Sequence, residues 1–145
     1  MLGERSQEED GSTSGRRIIL VDSSVLMYAI KGRRRHPTNI EAALMEVSEG
    51  SELAVLSSTL EELRILRDKK KGKTRIAADF ALELVRRMGL KVLTADQDVV
   101  NDVKRLGHKL RPYEIYDEIL ARMAEKLGAA VATADMELAK KLRRR

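Results

Sequence analysis

Acidic side chains stand just past each apolar run of this chain: Asp22 after IILV, Glu61 and Glu62 after LAVLSSTL, Asp96 after KVLTA, and Asp135 after AAVATA. Carboxylates ligate hard cations, and they also act as general bases or phosphoacceptors. Other ligands are scarce, since the 145 residues include no Cys and only two His, His36 and His108. A thiolate or histidine-rich zinc site is thereby excluded, and any metal must be held mainly by oxygen. The D-x-D form of a phosphoacceptor fails as well, because Ser24 occupies the second position after Asp22. An aspartate between a strand and a helix can equally be a turn or cap residue, so each acid has to be judged by its surroundings.

Those surroundings follow from the order of elements. Residues 18–21 form an unbroken, β-branched apolar run suited to a strand covered on both faces, which with Asp22 gives a strand over 18–22. Ser23 or Ser24 can cap a helix over 23–31, and a loop through GRRRHPT leads to a helix over 39–48 and a strand over 53–56. A helix from about 59 to 68, a basic turn DKKKGK and a longer helix over 74–88 follow, the last with Ile76, Phe80, Leu84 and Val85 on one face. Strand 91–94, helices 97–106 and 114–127, strand 129–133 and helix 136–144 complete the pattern. Strands separated by helices throughout imply a parallel sheet between two helical layers, a three-layer α/β/α domain over residues 16–145. Ligands and catalytic groups gather beyond the carboxyl ends of such strands. Residues 1–15, MLGERSQEEDGSTSG, carry too little apolar surface to order themselves and read as a flexible acidic tail.

Position separates the acids. Ser58-Thr59-Leu60-Glu61 fits a capping box, which gives Glu61 a structural role and leaves Glu62 as the freer carboxylate. Asp117 lies inside a helix, on a face shared with Leu120, Ala121, Ala124 and Gly128. An aspartate on that face is costly unless paired, hydrogen-bonded or bound to a cation. Glu118, rotated about 100° away, is expected to meet solvent. Asp96 and Asp135 sit in nearly the same phrase, VLTADQDVV and VATADMELA, and both can be helix caps; the pattern alone does not choose between them.

Charge points to a polyanionic partner. Glu4, Glu8, Glu9 and Asp10 against Arg5 give residues 1–15 a net −3, so the chain's +5 leaves +8 on the remainder. Clusters at Arg33-Arg34-Arg35, Lys69-Lys70-Lys71 and Arg143-Arg144-Arg145 suit a phosphate backbone, although such runs are also ordinary solvated surface. No leader-type apolar segment opens the chain and no run approaches the roughly 18 residues of a membrane span, so a soluble, cytoplasmic protein with no membrane partner is expected.

Three stretches together resemble one family. ILVDSSVLMYA is similar to the opening strand and first aspartate of PIN domains, and LSSTLEELRIL resembles their second acidic motif, in which the glutamate directly before a leucine is functional, here Glu62. YDEILARMAEKLGAAVATADMELAKKL resembles their third: an aspartate opening a helix, then a strand, then T-x-D, which selects Asp117 and Asp135. The match spans about Ile18 to Leu142. The resemblance implies a strand order of 3-2-1-4-5, which sets Asp135 beside Asp22 and leaves Asp96 at the far edge. It implies a metal-dependent ribonuclease, of toxin or RNA-processing type, that cuts phosphodiesters of RNA to 5′-phosphate and 3′-hydroxyl ends. Asp22, Glu62, Asp117 and Asp135 would be both catalytic and metal-binding, for Mg²⁺ or Mn²⁺, with Ser24 and Thr133 in support and the clusters at Arg33–Arg35 and Lys69–Lys71 contacting RNA. The family's fifth strand has no counterpart before Arg145, which leads to an expected homodimer or protein partner near the fourth strand and the final helix. The alternative under the same resemblance is a non-catalytic scaffold that binds RNA or protein.

Overall fold

The computed structural model describes residues 16–28 and 40–144; the acidic segment 1–15 and the cluster Arg33-Arg34-Arg35 lie outside the described residues. The elements are β1 (Arg17–Val21), α1 (Ser23–Leu26), α2 (Ile40–Val47), β2 (Ser51–Leu56), α3 (Ser57–Lys69), α4 (Gly72–Met88), β3 (Lys91–Leu93), α5 (Gln97–Arg105), α6 (Pro112–Leu127), β4 (Ala130–Ala132) and α7 (Met136–Arg143). A short 3₁₀ turn, Gly107–Lys109, joins α5 to α6.

All described strands are parallel, in the order β3-β2-β1-β4. Alternation along the central strands splits the core into two. Ile19 and Val21 of β1 with Leu53 and Val55 of β2 pack under α1, α2 and α4, whereas Leu20, Ala54 and Leu56 face α5, α6 and α7. Both faces are therefore covered, which is why these strands are continuously apolar. On α4 the buried stripe is Ala77, Ala78, Ala81, Leu84 and Val85; Ile76, expected on the core face, is exposed. Small alanines let the helix lie close against α3 and α1, and Ile76 falls outside that stripe. Gly89 and Gly128, just past α4 and α6, adopt the left-handed conformation that ends each helix and starts the next strand. No described helix is long and apolar enough to cross a membrane.

Parallel connections bring every strand's carboxyl end to the same rim. Asp22, the start of α3, Thr94 to Asp96, and Thr133 to Asp135 all lie there. Because β1 stands between β2 and β4, its terminal Asp22 is flanked by the ends of both. Among the described residues β4 is paired on one side only, with β1.

Candidate active site

Asp22 is the first residue past β1 and is 4% exposed. Its amide continues the sheet by donating to Ala132 O at 2.9 Å, and its carboxylate makes no cap bond to α1. Instead Oδ2 accepts from Ser24 Oγ at 2.6 Å and from Thr133 Oγ1 at 2.8 Å. The helix-capping role expected of Ser23 or Ser24 is thus not seen: α1 starts at Ser23, and Ser24 turns back to the preceding carboxylate. Ser24 Oγ also accepts from the Ala134 amide at 2.9 Å, while Thr133 Oγ1 accepts from the Asp135 amide at 3.0 Å. The two hydroxyls therefore tie the end of β1 to the end of β4 and orient the Asp22 carboxylate.

Asp135 caps α7, its Oδ1 accepting from the amides of Glu137 at 2.9 Å and Leu138 at 3.3 Å. Glu62, one turn into α3, is pushed up to about 8, first by burial and then by the charge of Asp22; Asp117 adds to the effect and a hydrogen bond from Ser23 opposes it. Asp117 is raised to about 7 by burial, then by Asp22 and Asp135, with Lys141 opposing and Glu114 adding. The structure thus brings Asp22, Glu62, Asp117 and Asp135 within electrostatic reach of one another. They do not close on a common point, for no group of three or more acidic or histidine side chains among the described residues is disposed to hold a metal ion. The donor set nevertheless suits a hard cation: oxygens only, from four carboxylates, two of which burial and then neighbouring acids raise toward neutrality. Convergence on one ion would take rotamer changes in side chains that repel each other without it.

The other candidate acids are placed elsewhere. Asp96 caps α5 through the Asp98 amide and pairs with Lys126, which holds its carboxyl below the usual range; it does not act on Glu62 or Asp117. The capping box expected of Ser58 and Glu61 does not form, because α3 begins two residues earlier with Leu56 at its cap position. Ser57 there accepts from the Ala95 amide at 3.0 Å, a bond from the neighbouring strand end that local sequence does not reveal. Glu118 is the clearest departure. Rather than meeting solvent it is 9% exposed, with Oε2 bound by Arg122 Nε at 2.8 Å and Oε1 by Lys141 Nζ at 2.6 Å. Lys141 reaches this carboxylate from α7, a contact that a helical wheel of α6 alone cannot show. Lys141, whose charge also bears on Asp117, carried no signal in the sequence beyond its place in a basic run. Lys69, Lys70 and Lys71 are exposed at the far end of α3, a helix about 20 Å long, away from the rim where the acids gather.

Comparisons with known proteins bear on the fold and the family. The family model described as PIN domain matches residues 19–143. Among solved structures, that of VapBC2 from Rickettsia felis bound to a DNA fragment from their promoter aligns with TM-score 0.59 and 19% identity, covering 86% of this chain and 92% of that one. Mycobacterium tuberculosis VapC20, a Sarcin-Ricin loop cleaving toxin, aligns with TM-score 0.54 and 18% identity over 85% of this chain and 94% of that one. At these identities the likeness to the solved structures is one of fold. A search of curated proteins finds no match.

Proposed function

The chain belongs to the PIN domain family, and on that premise we propose that it is a metal-dependent endoribonuclease whose site is formed by Asp22, Glu62, Asp117 and Asp135. The observation that carries the proposal is electrostatic: beyond their burial, Glu62 and Asp117 are raised by Asp22, and Asp117 also by Asp135, so acids from four elements bear on one place. Mg²⁺ or Mn²⁺ is the cation such oxygens select. When bound, it supplies Lewis acidity toward the phosphodiester and toward the attacking water.

The chain's own residues have distinct parts. Ser24 and Thr133 hold Asp22 Oδ2 and so orient that carboxylate. Glu62 and Asp117 hold protons near neutral pH and release them on loading, which couples affinity to pH. Asp135 is fixed by two α7 amides, a rigid placement that costs no reorganisation. RNA follows from the family and from the basic balance of the chain, which favours a phosphate backbone without fixing a sequence. The product ends test the chemistry: cleavage of a labelled single-stranded RNA that leaves 5′-phosphate and 3′-hydroxyl supports it, and 2′,3′-cyclic phosphate ends exclude it.

The likeness to VapBC2 extends the proposal to a toxin role and to a protein partner or second copy at the open side of β4. Grooves flank that strand on both faces, one of about 530 Å³ beside Ala124, Val131 and Leu142, the other of about 480 Å³ beside Ile40, Leu44 and Val47. An added strand pairing with β4 would send alternate side chains into the two grooves.

A further inference from the structure

A cleft of about 650 Å³ opens on the same rim, on the β3 side of the acids, between the first turns of α3, α5 and α6. Its size lies within the range of small-molecule sites. Its walls continue those of the acid cluster, because Glu61 and Tyr116 line it and are chain neighbours of Glu62 and Asp117. Ile115 and Val100 provide partly buried aliphatic surface beside the half-buried Tyr116 ring. Arg64 and Lys104 stand exposed at its border, and neither has an acidic partner among the described residues. Thr94 adds a hydroxyl at the end of β3.

We propose that this cleft is a nucleobase subsite, taking one unpaired base of the RNA next to the scissile phosphate, with the base against Tyr116 and the flanking phosphates toward Arg64 and Lys104. The inference rests on the ribonuclease reading and adds to it the place where one base is held, since a base must leave any stack to enter. Aromatic and aliphatic walls suit the faces of a base, and cations at the mouth suit its phosphates. A neutral apolar peptide would find the same walls but would leave Arg64 and Lys104, without acidic partners among the described residues, unanswered.

Two measurements test it. The first uses a single-stranded RNA with a mapped cleavage position and moves one abasic nucleotide through it. KM should rise roughly ten-fold or more at one position adjacent to the cut, with kcat little changed, and filling the cleft with Val100→Trp should erase the difference between intact and abasic RNA. Cleavage with the same KM at every abasic position overturns the subsite and leaves the ribonuclease reading standing; no cleavage of any RNA overturns that reading. The second is independent of catalysis: uridine and adenosine 5′-monophosphates, added to metal-free protein, should shift the amide resonances of residues 94–100 and 115–116. Shifts confined to other residues, or shifts produced here by an apolar peptide but not by the nucleotides, contradict the assignment.

Discussion

Lys141 Nζ lies 2.6 Å from Glu118 Oε1, and this pair fastens α7 to α6 directly beside Asp117. Arg122 takes the second oxygen of the same carboxylate, whose side chain is only 11% exposed. Replacing Glu118 by Ala strands two cations that are each about two-thirds covered. The expected loss is about 2 kcal/mol, read from urea denaturation, with a smaller loss for Glu118→Gln, which keeps one acceptor. Unchanged stability in Glu118→Ala would show that the pair is an incidental surface contact.

The metal-free protein should become more stable as pH falls from about 8 toward 4.5. Glu62 and Asp117 have folded pKa values of about 8 and about 7, above the ordinary 4.5 and 3.8, so the folded state binds more protons than the unfolded chain across this window. Their contribution is fully present below the unfolded values and is lost as pH rises through the folded ones. The two groups interact, so they should titrate as a coupled pair. Denaturation in chelator at pH 6 and pH 8.5 should favour pH 6 for the wild type, with the difference flattened in Glu62→Gln/Asp117→Asn. A pH slope that survives in the double variant assigns the effect to other groups.

Much of this arrangement could be read from the chain before the fold was seen, for a physical reason. Strand-helix alternation forces a parallel sheet and a parallel sheet sends every carboxyl end to one rim, which puts Asp22 just past β1 and Asp135 three residues past β4; the choice of Asp135 over Asp96 rests on the resemblance to PIN domains, not on the pattern. Asp117 was legible because a charge on a small-residue face needs an explanation. What stayed hidden depends on contacts between distant elements. Glu118 pairs with Lys141 of α7, Ser57 accepts from Ala95, and Ser24 turns to Asp22 and Ala134; none of these follows from periodicity. Lys69, Lys70 and Lys71 show the converse, a conspicuous charge run that the fold carries away from the acids.

That displacement gives the third prediction. At physiological salt, exposed charges farther apart than about 8 Å are largely screened, and α3 holds these lysines well beyond that from the rim. Replacing all three by Ser should change the KM for RNA cleavage less than roughly three-fold. A ten-fold rise would place RNA along α3 and require a longer binding path.

The open edge of β4 carries the fourth. Unpaired strand edges flanked by apolar grooves are normally covered. Light scattering over a concentration series should reveal self-association, or co-purification should reveal a protein partner, with amide exchange at residues 130–132 slowed in the complex. A monomer at all concentrations, without a partner and with those amides already protected, would show that the edge is covered within the chain.

The central claim is that four carboxylates from separate elements act as one metal-dependent cutting site. The most direct test is the rate of Mn²⁺-dependent cleavage of a fluorescent single-stranded RNA by the wild type and by Asp22→Asn, Glu62→Gln, Asp117→Asn and Asp135→Asn, with Asp96→Asn as control. Each of the four should lower the rate by about two orders of magnitude or more while the folded protein is retained, because removing any one of them takes a ligand from a site that works as a unit. The control should cut as the wild type does. Full activity in any of the four, or equal loss in Asp96→Asn, would contradict the account.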